Sequence, residues 1–137
     1  MGEFLFNNWA LVLVFLASGA MLVAPELLSI VAGAGDVGTL EATRLMNQGS
    51  TLVLDVRDAQ EFAAGHLPRA RHIPMGELAN RLAEIDRYKA KPVIVTCQKG
   101  NRSASAARLL KRAGFTSVYS LKGGLSAWQQ ASLPVEK

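Results

Sequence analysis

The chain has 137 residues and a mass of 14.7 kDa, which leaves room for one domain of ordinary size and a short appendage. Its formal net charge is +4, yet only 7% of its residues are aromatic and no long basic run occurs. This balance argues against nucleic-acid binding and favours attraction to anionic lipids or to an anionic substrate. The single cysteine excludes an internal disulfide and a multi-cysteine metal site, and it is compatible with a reducing compartment.

The amino-terminal segment is apolar. No charged side chain occurs in residues 4–25, and as a helix this run would reach about 33 Å, enough to cross a bilayer core. Trp9 suits an anchor at the membrane interface. A cleaved signal peptide is the alternative, although its positively charged leader is missing. We therefore predict a membrane anchor over residues 1–32, with a transmembrane helix at about residues 5–24.

The placement of the cations predicts the orientation of this anchor. All fifteen Lys and Arg residues follow residue 40, so the positive-inside rule and the inside-negative potential both favour a domain that stays in the cytoplasm. A reactive thiol without a resolving cysteine would also survive best there. The expected location is the cell inner membrane, which the chain crosses once, with its domain in the cytoplasm. A partner within the membrane is compatible with this arrangement.

The rest of the chain alternates strand-like and helix-like runs. A flexible linker is predicted over residues 33–38, followed by a domain over residues 39–134. The predicted strands are a weak, short one at residues 37–38 and stronger ones at residues 51–56, 71–73, 92–96 and 117–121. The predicted helices are residues 39–47, 59–64, one from about residue 75, 102–113 and a short last helix that carries Trp128. Alternation at this spacing predicts an α/β fold with a mostly parallel sheet.

One loop concentrates the chemistry of this predicted domain. Cys97 follows a predicted strand and precedes a helix, where backbone N–H groups and the positive end of the helix dipole converge. Such a setting lowers the pKa of a cysteine and makes its thiolate nucleophilic. Gly100 permits the tight loop, while Lys99 and Arg102 add charge that attracts an anion. An inert, buried cysteine is the alternative, but it has no use for nearby cations.

Other polar residues are weaker candidates. Asp55 and Arg57 close a strand at the edge where ligands of open α/β sheets bind, and we expect them to support loops rather than to react. His66 and His72 have neither a second cysteine nor ligand spacing, so we interpret them as structural and expect no metal site. Ser103 could donate a hydrogen bond to the cysteine sulfur.

Four motifs follow one another along the predicted domain. One is the loop itself, in which four residues separate Cys97 from Arg102. The other three are Leu54-Asp55-Val56-Arg57 with Glu61-Phe62, then Gly65-His66-Leu67-Pro68 with His72-Ile73-Pro74, then Gly123-Gly124-Leu125-Ser126-Ala127-Trp128. Together they resemble the rhodanese-like sulfurtransferases over residues 37–134. Arg69 departs from that pattern, because the family often has glycine in this turn.

The resemblance implies a five-stranded, mostly parallel sheet flanked by helices on both sides. It also implies that Cys97 takes the outer sulfur of a small anionic donor such as thiosulfate and passes it from a persulfide to a thiol or another thiophilic acceptor. The residues expected to cradle the substrate are Gln98, Lys99, Gly100, Asn101, Arg102 and Ser103. Asp55 and Arg57 are expected to support this cradle, and no metal or organic cofactor is implied.

Two other functions remain open at this point. A cysteine phosphatase or arsenate reductase would use the same architecture, but related phosphatase domains resemble this one with one more residue between the cysteine and the arginine. The shorter loop from Cys97 to Arg102 therefore favours sulfur over phosphate. A membrane-tethered binding or scaffold module is the second alternative, since a reactive loop does not exclude partner docking.

Overall fold

The computed structural model describes residues 1–32 and 34–137, and it describes side chains outside residues 25–34. The chain divides into two compact units, residues 1–32 and residues 33–137. Each unit is described separately below.

The first unit consists of two helices, α1 (Gly2–Asn7) and α2 (Trp9–Ala32). Apolar side chains in the described part of α2 are exposed, among them Phe15 and Leu22. No helix of residues 1–32 or 34–137 combines the length and the apolar character that a membrane crossing requires. The structure therefore does not support the transmembrane helix predicted at about residues 5–24.

A five-stranded sheet forms the centre of the second unit, with the strand order β1-β5-β4-β2-β3 and with every neighbouring pair parallel. The strands are β1 (Ala34–Val37), β2 (Leu52–Asp55), β3 (Arg71–His72), β4 (Pro92–Thr96) and β5 (Ser117–Leu121). The α-helices of this unit are α3 (Thr39–Asn47), α4 (Ala59–Ala64), α5 (Asn101–Arg112) and α6 (Gly124–Gln130).

Apolar side chains cover both faces of the sheet, which explains why an inner strand such as β4 has successive buried apolar residues. Because side chains alternate along a strand, Val93 and Val95 of β4 pack in one cluster with α5, whereas Ile94 packs in the other with α3 and α6. All three side chains are fully buried. The predicted α/β fold, with a five-stranded parallel sheet flanked by helices, is confirmed.

The amino-terminal edge of the sheet differs from the sequence prediction. A linker was expected over residues 33–38, but residues 34–37 form strand β1 and pair with β5, from Ala34 opposite Val118 to Val37 opposite Leu121. The Lys122 N–H extends this pairing by donating to the Val37 carbonyl over 2.8 Å. The free edge of β5 has unpaired backbone groups that an extended segment satisfies, even when that segment is rich in glycine and alanine.

The segment after β3 also differs from its prediction. One α-helix was expected from about residue 75, but two 3-10 helices occupy Met75–Asn80 and Leu82–Tyr88. Their tighter i→i+3 bonding is seen where the Arg81 N–H donates to the Leu78 carbonyl over 3.1 Å. Glycine and asparagine in the first of these helices are poor α-helix formers, which favours the short 3-10 form.

The carboxyl ends of the central strands meet at one edge of the sheet. Asp55 at the end of β2 lies in register with Thr96 at the end of β4. The residue after Thr96 is Cys97, so the predicted reactive loop begins beside the end of β2. This edge is where open parallel sheets bind their ligands, and it positions the candidate site.

Candidate active site

The Cys97 sulfur is enclosed by the loop that joins β4 to α5. Gly100 takes a left-handed conformation, with φ of 107°, and this turn directs its N–H back toward the sulfur over 3.0 Å. The Ser103 N–H in the first turn of α5 donates to the same atom over 3.3 Å. A side chain at position 100 would be strained in this conformation, so the glycine is needed for the loop to close on the sulfur.

Two buried hydroxyl groups lie behind the sulfur. The Ser103 Oγ is 3.4 Å from the Cys97 Sγ and 2.7 Å from the Ser120 Oγ, and it also donates to the Gly100 carbonyl over 3.1 Å. Ser120 belongs to β5, and both serines are buried. When the cysteine is ionised, the Ser103 hydroxyl can turn to donate to the thiolate while Ser120 donates to Ser103.

The surroundings of Cys97 affect its pKa in opposite directions. Burial raises the pKa of the thiol, because the charged form loses its hydration. Hydrogen bonds from the side chain and N–H of Ser103 and from the N–H of Gly100 lower it, and the result is a pKa below the ordinary thiol value. The loop therefore increases the thiolate fraction near neutral pH, as a nucleophilic cysteine requires.

The outer side of the loop is attached to the start of α6. The Leu125 N–H donates to the Cys97 carbonyl over 2.8 Å, and the Ser126 N–H donates to the Gln98 carbonyl over 3.1 Å. Gly124, with φ of 57°, lies so close that a β-carbon there would collide with the Cys97 carbonyl oxygen. With its carbonyl oxygens bound to α6, this part of the loop keeps a fixed conformation around the sulfur.

Asp55 and Arg57 form a buried ion pair beside the loop. The Arg57 guanidinium donates to the Asp55 carboxylate and to the Gly65 carbonyl, each over 2.7 Å at the shortest. It also donates to Gln98 Oε1 over 3.4 Å, and the Gln98 amide in turn donates to the Ser126 hydroxyl over 3.1 Å. The pair thus connects β2 to the loop, where the sequence predicts a supporting role.

The Arg102 side chain forms an ion pair with a residue of α4. Its guanidinium donates to both carboxylate oxygens of Glu61, over 2.8 and 3.0 Å. The hydrogen bond from Arg102 is the main reason that the pKa of Glu61 is lowered to about 2, so this carboxylate is ionised at neutral pH. The sequence predicts a substrate contact for Arg102, and the structure adds an ion pair with an acidic residue.

A cleft of about 290 Å³ opens onto the sulfur. Its lining consists of Glu61, Cys97, Gln98, Lys99, Asn101 and Arg102. Lys99 is exposed at its edge. The structure thus brings together all the residues predicted from the loop, with Gly100 and Ser103 forming the floor through their bonds to the sulfur.

This architecture is shared with a known family. A model of the rhodanese-like domain matches residues 39–131. The chain belongs to the rhodanese-like domain family.

Individual relatives of this rhodanese-like domain agree with that assignment. The thiosulfate sulfurtransferase GlpE of Pseudomonas putida (strain GB-1) is 43% identical over 98 residues, which cover 70% of this chain and 84% of the relative. A rhodanese-related protein from Thermoplasma volcanium has a TM-score of 0.66 at 28% identity, over 74% of this chain and 96% of that one. The human single-domain sulfurtransferase TSTD1 has a TM-score of 0.60 at 30% identity, over 69% and 95%. The predicted enzyme class, a rhodanese-type sulfurtransferase, is confirmed.

The two histidines of the rhodanese-like domain are not among the residues that line the cleft. The rings of His66 and His72 both stack on the ring of Phe62, with centroid distances of 3.9 and 4.6 Å. Each ring also bonds a backbone carbonyl, that of Phe62 or Arg57. Among the described residues, no group of His, Cys, Asp and Glu has the arrangement of a metal site.

Three contributors to this rhodanese-like site are not assigned from the sequence, namely Glu61, Ser120 and Gly124. Glu61 does leave a local signal, because Asp58 three residues before it predicts a capping box at the start of a helix. Ser120 is a polar residue in a buried strand, and such a residue needs a buried partner. Neither signal identifies the partner, since Arg102 and Ser103 are distant in the sequence.

Proposed function

We propose that this enzyme carries a sulfane sulfur atom on Cys97, from a small anionic donor such as thiosulfate to a thiol or another thiophilic acceptor. The observation that carries the proposal is the enclosed sulfur of Cys97, which accepts hydrogen bonds from two backbone N–H groups at 3.0 and 3.3 Å at the base of an open cleft. Such donors stabilise negative charge on the attacking thiolate and on the persulfide that replaces it.

The first half-reaction transfers one sulfur atom. The Cys97 thiolate attacks the outer sulfur of thiosulfate, a new S–S bond forms, and the S–S bond of the donor breaks. Sulfite leaves with the electron pair of the broken bond, so the cysteine becomes a persulfide anion and no other oxidant or reductant is needed. In the second half-reaction an acceptor thiolate attacks the outer persulfide sulfur and releases the Cys97 thiolate.

The remaining residues of the loop support this chemistry. Lys99 and Arg102 line the cleft and attract an anionic donor. Gln98 and Asn101 also line it and offer side-chain amides for hydrogen bonds to donor oxygens. The relative named thiosulfate sulfurtransferase supports thiosulfate as the first donor to test.

Intact-mass analysis after incubation with thiosulfate tests the proposal. We expect the wild-type chain to gain the mass of one sulfur atom, with release of sulfite, and a thiol reductant to remove that mass. The Cys97→Ser variant is the control, because serine preserves the size of the side chain but cannot form a persulfide. A wild-type chain that gains no mass, or a Cys97→Ser chain that gains the same mass, would refute the proposal.

Membrane attachment with a cytoplasmic enzyme domain is a separate proposal. It rests on the sequence, namely the charge-free run of residues 4–25 and the placement of all cations after residue 40, because the described helices include no membrane span. Exposed apolar side chains of α2, such as Phe15 and Leu22, are consistent with a lipid surface. Fractionation of cell membranes tests attachment, since release by high salt alone would contradict it.

A single introduced thiol tests the orientation. Lys137→Cys in a Cys97→Ser background places one reactive thiol at the exposed carboxyl terminus. We expect a membrane-impermeant maleimide to label it in lysed cells and not in intact cells. Equal labelling in both would place the enzyme domain outside.

A further inference from the structure

The cleft above the sulfur contains a fixed negative charge. Glu61 and Arg102 form a two-point ion pair, with N–O distances of 2.8 and 3.0 Å, and both side chains line the cleft together with Cys97. Their side chains are 29% and 42% exposed, so the pair is reached by solvent and by a small donor. The Glu61 carboxylate is not the nucleophile, and it makes none of the hydrogen bonds to the Cys97 sulfur, whose partners are Gly100 and Ser103.

The position of the Glu61 carboxylate is determined from its own helix. The Asp58 side chain accepts a hydrogen bond from the Glu61 N–H over 2.8 Å, and Glu61 Oε1 accepts from the Asp58 N–H over 3.5 Å, which together form a capping box. Asp58 and Arg102 therefore restrain Glu61 from two directions. These contacts hold the carboxylate at the cleft wall.

This carboxylate changes the charge that an incoming donor meets. Lys99 and Arg102 contribute two positive charges to the cleft lining, and Glu61 and the attacking Cys97 thiolate contribute one negative charge each, which leaves a net charge of zero. Coulomb energies scale with the charge of the donor, so Glu61 repels a dianion about twice as strongly as a monoanion at the same position. The charge of Glu61 should therefore affect the relative rates of donors of different charge.

We propose that Glu61 is a specificity-determining residue, which disfavours dianionic sulfur donors such as thiosulfate relative to monoanionic donors. The proposal rests on the proposed function, because it concerns the first half-reaction at Cys97. Glu61 acts through its charge and through Arg102, without contact with the sulfur that is transferred.

Two donors that differ by one charge separate this effect from general reactivity. Thiosulfate is a dianion and releases sulfite, whereas an alkanethiosulfonate is a monoanion and releases an alkanesulfinate. In both cases the Cys97 thiolate attacks the outer sulfur, one S–S bond forms as another breaks, and the leaving group takes the electron pair. A change in the thiol pKa affects both donors through the same thiolate fraction, so the ratio of their second-order rate constants reports donor selection.

The experiment measures this ratio under single-turnover conditions in the full chain. In Glu61→Gln, glutamine keeps the capping box and a hydrogen bond to Arg102 but removes the charge. We expect the thiosulfate-to-thiosulfonate ratio to rise about three- to tenfold at low salt and to return toward the wild-type value at high salt, where the charge is screened.

Matched variants distinguish charge from geometry. Glu61→Asp keeps the charge but shortens the side chain, so the proposal predicts a ratio close to that of the wild type. Glu84→Gln removes an exposed carboxylate that pairs with Arg81 and does not line the cleft, and it should also leave the ratio unchanged. Glu61→Ala, which removes the charge and the hydrogen bonds, should raise the ratio as Glu61→Gln does and serves if the glutamine variant is unstable.

The outcomes separate this inference from the proposed function. A wild-type chain that forms no persulfide with either donor would overturn both. Persulfide formation with an unchanged ratio in Glu61→Gln and Glu61→Ala would overturn the inference alone. An equal rise in Glu61→Asp and Glu61→Gln would also overturn it, because the geometry of the ion pair and not its charge would then select the donor.

Discussion

At the scale of single residues, the Ser103 hydroxyl contributes to the stability of the Cys97 thiolate. Ser103 donates its N–H to the sulfur and holds its hydroxyl 3.4 Å away, backed by Ser120. In Ser103→Ala the hydroxyl is lost while the backbone donor stays. The stabilisation of the thiolate should therefore decrease, and the pKa of Cys97 should rise toward its ordinary value.

The pH dependence of alkylation by iodoacetamide measures this change. The thiolate is the reactive form, so the rate rises with pH through the thiol pKa, and a higher pKa shifts the whole profile to higher pH. We expect the profile of Ser103→Ala to lie at higher pH than that of the wild type, because the thiolate loses the hydrogen bond from the Ser103 hydroxyl. Ser105→Ala is the control, since Ser105 bonds Arg108 and not the sulfur. An unshifted profile in Ser103→Ala would contradict the role of the hydroxyl.

Arg102 gives a second prediction at this scale. Arg102→Ala removes a cation from the cleft and leaves the Glu61 carboxylate unpaired, so an anionic donor is both less attracted and more repelled. We expect the rate constant for sulfur transfer from thiosulfate to fall about thirtyfold, corresponding to about 2 kcal/mol, while the fold is retained. Turnover assays together with thermal unfolding measure the two effects. Wild-type kinetics in a folded variant would exclude this role.

At the scale of elements, the contact between α6 and the loop determines the shape of the cleft. Gly124 has no β-carbon, and this allows the Leu125 N–H to reach the Cys97 carbonyl over 2.8 Å. In Gly124→Ala the added carbon collides with backbone atoms of Cys97 and Gln98 that cannot rotate away. We expect transfer activity to fall by at least about tenfold and stability to fall by about 2 kcal/mol or more.

Gly49→Ala is a matched control for this substitution. Gly49 also has a positive φ, of 83°, but a β-carbon there meets no atom within 4 Å. Its strain should lower stability without a change in transfer kinetics. Urea unfolding and thiosulfate turnover of both variants measure the difference. Equal kinetic effects at the two positions would show that α6 does not control the loop.

The elements also show which features the sequence can predict. The strands are recovered because Val93, Ile94 and Val95 form an apolar run that suits a strand buried on both faces. The reactive loop can be predicted because Cys97 and Gly100 lie at a strand-to-helix junction, and neighbouring residues in the sequence are enough to identify such a junction. The pairing of Glu61 with α5 is not recoverable, because the order of strands decides which loops meet and local patterns do not encode that order.

At the scale of the whole molecule, the boundary of the enzyme domain lies earlier than the sequence indicates. The linker expected over residues 33–38, drawn from the glycine-rich composition, contains β1, whose pairing with β5 runs from residue 34 to residue 37. Composition predicts flexibility of an isolated segment, whereas the free edge of a sheet orders the same segment by hydrogen bonding.

Two truncated chains test this boundary. A chain that begins at Ala34 retains the complete sheet and should fold and transfer sulfur as the full chain does. A chain that begins at Gly38 lacks β1 and the buried side chain of Val37, so we expect its free energy of unfolding to be lower by about 2 kcal/mol. Urea denaturation followed by tryptophan fluorescence compares them. Equal stability of the two chains would show that β1 does not contribute to the domain.

Because the chain has a single cysteine, the number of active enzyme molecules can be titrated. One thiol per chain can hold one sulfur atom, and Cys97 is buried, apart from its opening into the cleft. When an acceptor is withheld, thiosulfate should therefore release a burst of one sulfite per active chain and then stop. In a preparation without other thiols, the amplitude of that burst equals the concentration of competent enzyme.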